Sequence, residues 1–326
     1  MNRKALLITA LAALALTSCK LVYEDQRPCE FKVKFVYDYN MKFADATSNE
    51  LDNVTLYVFD ESGALAYQGK ADKQTLEAND NCMIVPLKTG KYNMVAWGNG
   101  KHEADAVVWN NGVGGIEAEM SRFIDTGSDN YLCSNIDALF YGKLEDSVPA
   151  NADYTSVLHL MKNTNSVQVV LQQMTESAEV DPERYLIYTV ADNSAYDAKN
   201  EFVSTGAPTI YEAWDVKGLL LTKSDYNGVK AEMTIPRLKP NSGMRLIVED
   251  RRSDSQKPII DIPLADILLL VRNHYSETLT EQEYLDRQDD FSIMFFLQNN
   301  GSGDLWLNTH IYVNSWKVVL QDTPLM

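Results

Sequence analysis

From Glu30 onward the chain is dominated by a period of two. Phe31, Val33, Phe35 and Tyr37 alternate with Lys32, Lys34, Val36 and Asp38. Val54, Leu56 and Val58 alternate with Thr55, Tyr57 and Phe59, and the turn Asp60-Glu61-Ser62-Gly63 follows. Tyr92, Met94 and Ala96 alternate with Asn93, Val95 and Trp97 before Gly98-Asn99-Gly100. Alternation bounded by Gly, Asn and Asp predicts half-buried strands. Pro86, inside residues 83–87, predicts an edge position or a bulge there. Residues 100–155 are less regular, carry Gly112, Gly114 and Gly115, and predict long loops and short helices. Pro149-Ala150-Asn151-Ala152-Asp153 reads as a linker. A second run of strands is predicted near residues 158–171, 185–190, 218–221, 231–235, 244–248, 292–297, 306–313 and 316–320.

One interruption of that run has helical spacing. Pro263 precedes Leu264, Ile267, Leu268 and Val271, an i, i+3, i+4, i+7 stripe with Pro at a tolerated helix start. A second helix is predicted at Thr280-Glu281-Gln282-Glu283, a capping box in which Thr280 caps and Glu283 reaches back. The expected architecture is mostly β: two tandem β-sandwiches, residues 30–155 and 156–326, with a short helical insertion in the second.

The first thirty residues follow a different pattern. Arg3 and Lys4 precede an apolar run from Ala5 to Leu16, too short for a span of ~20 residues and of the length of a signal-peptide core. Leu16-Thr17-Ser18-Cys19 then resembles the bacterial lipobox, in which small residues precede the cut and the cysteine thiol takes a diacylglyceryl group. The expectation is a signal peptide over 1–18, lipid attachment at Cys19, and a polar tether over 19–29. Two or three acyl chains, palmitate among them, would make the attachment stable, since each buried methylene contributes about 0.8 kcal/mol.

Composition narrows the function classes. A hydrophobic fraction of 45% with 17 Tyr and 10 Phe describes a globular chain rich in strand formers. The net charge is −17, and losing Arg3 and Lys4 with the leader makes it two units more negative. Such a surface repels phosphate backbones, which argues against nucleic acid as a partner and against a polybasic membrane patch. Cys29, Cys82 and Cys133 remain for an oxidising compartment, allowing one disulfide and one leftover thiol without choosing the pair.

No site chemistry emerges from the motifs. His102, His159, His274 and His310 have no metal-ligand spacing, and no nucleophile elbow, P-loop or dinucleotide fingerprint is present. Asp125, Ser128 and Asp129 lie in a D-T-G-S-D-N loop that departs from the EF-hand order. Asp38 and Asp45, flanking Asn40, read as turn-capping residues rather than metal ligands. Trp109, Trp214 and Trp306 could stack on sugars, although burial is the commoner fate of Trp. The expectation is no enzyme, no cofactor, no metal and no small-molecule substrate.

Seven segments together resemble one family. They are S-C-K-L-V-Y-E-D-Q-R-P-C (18–29), V-Y-D-Y-N-M-K-F-A-D-A (36–46), L-Y-V-F-D-E-S-G (56–63), K-T-G-K-Y-N-M-V-A-W-G (88–98), R-L-K-P-N-S-G-M-R-L-I-V (237–248), E-Y-L-D-R-Q-D-D-F (283–291) and I-Y-V-N-S-W-K-V (311–318). In this order they resemble the FimB-like minor fimbrial subunits of Bacteroidales, the anchor lipoproteins of type V pili. The resemblance implies two transthyretin-like sandwiches, a surface-exposed place in the outer membrane, and a role in anchoring a fimbria and limiting its length. It also implies a stalk subunit as partner, joined by β-strand addition. In stalk subunits of such pili an N-terminal segment is cut away to open a groove. Here that cut would free the protein from its lipid, so the first strand, about 30–37, is expected to stay in place. The stalk would then engage the C-terminal strand or tail, 316–326. Two alternatives stand beside this one: a glycan-binding surface lipoprotein, which should gather aromatics on one face, and a tip adhesin of the same pilus system.

Overall fold

The computed structural model describes residues 29–99, 107–109, 120–123, 129–174, 180–192, 195–203, 206–220, 227–252, 257–275, 277–299, 303–307 and 310–320. The chain is mostly β. The strands of the first half are β1 (Phe31–Val36), β2 (Asn53–Asp60), β3 (Leu65–Asp72), β4 (Cys82–Ile84), β5 (Gly90–Gly98), β6 (Val107–Trp109), β7 (Met120–Phe123), β8 (Tyr131–Leu132), β9 (Phe140–Val148), β10 (Tyr154–His159) and β11 (Met161–Lys162). Short helices α1 (Thr47–Glu50) and α2 (Lys73–Ala78) lie among them. The order β10-β1-β4 forms one sheet and β11-β9-β5-β2-β3 a second.

The two sheets enclose the core that the alternating residues predict: Phe31, Val33 and Phe35 from one, Val54, Leu56, Val58, Met94 and Ala96 from the other. The edge position expected near Pro86 is occupied by β4, which ends two residues before it.

The region expected to hold loops and short helices instead supplies β9, a nine-residue strand paired along its full length with β5. Its sequence hid it because Phe140 and Tyr141 are both buried, on opposite faces and in different cores. Alternation is lost when both faces of a strand are covered. Gly142 follows them. A Cβ there would lie 2.2 Å from Leu158 Cδ2 and 2.7 Å from the His159 carbonyl oxygen, so only glycine lets β9 cross so close to β10. The Pro149–Asp153 stretch is the turn from β9 to β10, with Asn151 at φ 56°.

The second half contributes β12 (Thr164–Gln173), β13 (Tyr185–Ala191), β14 (Ala195–Asp197), β15 (Thr209–Glu212), β16 (Asp215–Leu220), β17 (Asn227–Pro236), β18 (Arg245–Asp250), β19 (Ile260–Pro263), β20 (Asp290–Asn299), β21 (Asp304–Trp306), β22 (His310–Val313) and β23 (Trp316–Val319). One sheet runs β16-β17-β12-β20-β22-β23, with β21 also on β20; the facing sheet runs β19-β18-β13-β15-β8. Thus β8 leaves the first half to pair in parallel with β15, and β7 pairs with β14.

The helical insertion is present as α3 (Leu264–Leu269), α4 (Arg272–Tyr275) and α5 (Glu281–Arg287). Leu264, Ile267, Leu268 and Val271 are all buried in the second core. Thr280 caps α5 by accepting from the Glu283 amide at 3.1 Å. The Glu283 carboxylate does not complete the box as expected: it accepts from Arg287 Nε at 2.9 Å.

Candidate functional site: the terminal strands and the junction between the halves

The N-terminal strand is closed on both edges. β1 pairs in parallel with β10 over six residues and antiparallel with β4 over three. Its inward residues Phe31, Val33 and Phe35 are at most 5% exposed. Withdrawing it would expose three core side chains at roughly 1.5–3 kcal/mol each and strip two sheet edges of their partners. A pull on the chain before Phe31 acts along the strand, so its ladder bonds on both edges resist together.

The C-terminal strand is the opposite case. β23 pairs with β22 and ends the sheet, so its outer backbone edge is unpaired within the sheet. Asn314 and Ser315 make its hairpin turn with φ 47° and 71°, the left-handed pair that suits the twist of a two-residue hairpin. Leu320, just after it, is buried in the core, whereas Trp316 and Val319 are 43% and 57% exposed. Trp316 stacks on His274 with ring centroids 4.2 Å apart. An exposed edge with apolar side chains is a template for another strand.

Between these ends the halves are locked together. A third core packs Tyr57, Phe59, Val95, Trp97 and Tyr141 of the first half against Tyr196 and Ala198 of the second. Tyr141 Oη donates to the Ala198 carbonyl at 2.7 Å and Tyr196 Oη to the Asn163 carbonyl at 3.1 Å. Lys162 donates to Asp289 at 2.8 Å and Glu50 at 3.3 Å, one from each half. Burial works against the Lys162 charge, but Asp289 and Glu50 outweigh it and hold the ammonium above its ordinary pKa. Burial pushes the neighbouring Tyr37 phenol upward, so it stays neutral and donates to Asp289 at 3.3 Å. The Arg287 guanidinium sits over Tyr39 and Phe43, 4.0 and 4.5 Å from their ring centres, geometry that favours a cation over an aromatic face. Within the second half, Arg237 holds α5 in place: it binds Asp286 through two bonds of 2.7 and 2.9 Å and reaches the Asn200 carbonyl at 3.0 Å.

Most residues singled out in the sequence do not converge. Cys19, His102, Asp125 and Ser128, the side chain of Trp109 and that of His310, and the tail 321–326 lie outside the described residues. His159 Nδ1 lies 2.9 Å from Asp38 Oδ1 at the surface. Asn40 braces its own turn, donating to the Tyr37 and Ala44 carbonyls and accepting from the Lys42 amide, while Asp45 accepts from the Thr47 amide. Trp306 is half-buried against Phe295. Among the described residues no group of His, Cys, Asp and Glu is arranged to hold a metal ion.

The disulfide that three cysteines allow is not formed: Cys29, Cys82 and Cys133 are all free. The register explains why. Cys82 stands opposite Lys34, five residues along the chain from Cys29, or roughly 16 Å at 3.3 Å per residue. Cys133 packs on the second half, against the Ala213 carbonyl. The Cys29–Cys82 separation exceeds the ~7 Å Cα limit for a bridge.

The charged residues Arg287, Asp289 and Lys162 at the junction, and the Arg237–Asp286 pair that holds α5, were not singled out from the sequence. Four of them lie within the segments 237–248 and 283–291; in the second, five charged residues in nine stand beside Tyr284 and Phe291, which was the available signal.

Comparison with known proteins agrees with this frame. The family model of the fimbrillin-A associated anchor proteins Mfa1 and Mfa2 matches residues 24–322. No curated protein matches the chain. Among solved structures, a candidate adhesin from Bacteroides thetaiotaomicron is 26% identical, with a TM-score of 0.79 over 90% of this chain and 99% of that one. A candidate polysaccharide-binding protein from the same organism is also 26% identical, with a TM-score of 0.77 over the same shares. The fimbrial anchor protein Mfa2 from Porphyromonas gingivalis is 19% identical and shares the fold, with a TM-score of 0.62 over 90% of this chain and 99% of that one.

Proposed function

The chain belongs to the Mfa2 family of fimbrillin-A associated anchor proteins, and from that premise we propose that it is the membrane-end subunit of a fimbria. Its place at the cell surface as a fimbrial accessory protein, associated with other fimbrial subunits, comes with the family. The proposal adds how it acts: Cys19 carries the lipid, the outer membrane holds it, and the protein limits the length of the fimbria it anchors.

One observation carries the reading. β1 is paired on both edges and filled with core residues, whereas β23 is a sheet edge with Trp316 and Val319 exposed. A subunit whose first strand stays in place keeps its lipid and offers no groove at that end. Stalk growth then meets the chain at its other end, by strand addition along β23. The rigid junction carries the pull from one end to the other. The side chains available to a stalk subunit are Trp316, Lys317 and Val319; Leu320 faces the core and Val318 is half-buried against it.

The test is deletion of the gene in its native host, with electron microscopy of the cells and immunoblotting of the medium for fimbriae. The proposal predicts elongated fimbriae shed into the medium. Fimbriae still held on the cells at normal length would overturn it.

A further inference from the structure

At the junction of the halves a cleft of about 300 Å³ opens beside Trp214, at the lower end of the ~300–1,000 Å³ range of small-ligand sites. Its wall is the indole of Trp214, which is 37% exposed. The ring is held: Nε1 donates to Thr234 Oγ1 at 3.3 Å, and Thr234 Oγ1 in turn donates to Asn135 Oδ1 at 2.7 Å. The backbone beneath it is fixed too, since the Trp214 amide donates to the Glu232 carbonyl at 3.0 Å. The aromatic face is therefore presented in one orientation before any ligand arrives, which lowers the ordering cost of binding.

The rest of the lining is polar, with Asp137 as its carboxylate. Ser166 and Asn135 are exposed, and Asn165, only 3% exposed, forms part of the floor. The cationic group in the lining, Lys162, is already bound to Asp289 and Glu50. The cleft contains no arginine fork, and the chain carries a net charge of −17, so a phosphate or carboxylate ligand is disfavoured. Apart from the indole, the apolar lining is Ile136 and Ala138, too little for an aliphatic chain. A flat aromatic face ringed by amides and hydroxyls matches a ligand with one apolar face and a rim of hydroxyl groups. We infer that this cleft binds a neutral sugar residue of a glycan, stacked on Trp214 with its hydroxyls toward Asn135, Asn165 and Ser166.

The experiment titrates the full mature chain with maltose, cellobiose, lactose, mannobiose and chitobiose, read by saturation-transfer NMR and calorimetry. Trp214→Ala removes the platform. Ser166→Tyr fills the cleft from an exposed position that no core contact depends on. Trp316→Ala, at the distant edge strand, is the control. The expected result is millimolar or tighter binding of at least one sugar, weakened about tenfold or more by each cleft variant and unchanged by the control. No binding across the panel, or binding that survives Trp214→Ala or Ser166→Tyr, would overturn the inference.

Discussion

Replacing Arg237 with methionine tests whether α5, which carries the junction residue Arg287, is held on the second half by charge or by shape. Arg237 and Asp286 are 16% and 5% exposed. Arg237→Met removes two bonds to the carboxylate and one to the Asn200 carbonyl, leaving Asp286 to accept from Gln282 Nε2 at 2.7 Å. Breaking one side of a buried pair costs about 3–5 kcal/mol, because the surviving charge is left without compensation. A domain is stable by only ~5–15 kcal/mol, so the effect is large. Arg237→Met combined with Asp286→Leu removes both charges, and apolar replacement of a buried pair is close to neutral. The double variant should therefore recover most of the loss. Urea unfolding of the wild type, both single variants and the double variant gives the coupling energy. A single-variant loss below about 1 kcal/mol, or a double-variant loss equal to the sum of the singles, would refute the assignment of the pair as the lock that holds α5 in place.

Three further outcomes follow from particular residues. Ser315 sits at φ 71°, where a side chain costs roughly 1–2 kcal/mol; Ser315→Gly should raise the melting temperature, and an unchanged or lower value would contradict the hairpin geometry. A hydrogen bond from Arg184 holds the Asp250 carboxyl below its ordinary pKa. The stability it supplies is complete above pH ~4 and lost as the pH falls through the depressed value; Arg184→Met should flatten that acid limb in pH-dependent unfolding. With three free thiols among the described residues, thiol titration of the native protein should label Cys29 first. Burial pushes the thiols of Cys82 and Cys133 upward and slows both, and a disulfide-linked peptide in mass spectrometry would contradict this.

The sequence made β1 legible because one of its faces meets water. β2 and β5 are covered on both faces where Tyr57, Phe59, Val95 and Trp97 enter the third core, and their bounding turns and strand-forming residues marked them instead; the stripe Leu264, Ile267, Leu268 and Val271 is buried as a helical stripe should be. It hid what tertiary contacts decide. β9 lost its alternation because two cores cover it. The predicted strand over 158–171 is divided among β10, β11 and β12, as the chain passes from one sheet to the next at Leu160 and Asn163. The junction was invisible for a related reason: Lys162 meets Asp289 across 127 residues, and no local pattern encodes that pairing. The exposure of Trp316 and the burial of Leu320 could not be ranked from spacing alone, because an edge strand and a last core strand read the same.

The most direct test of the anchor account replaces Cys19 with alanine in the chromosomal gene. Cells are labelled with an alkyne analogue of palmitate, and fimbriae are measured on cells and in the medium. The account predicts label on the wild-type protein and none on Cys19→Ala, with fimbriae released into the medium still carrying the unlabelled protein. Fimbriae retained on Cys19→Ala cells at normal number and length would contradict it.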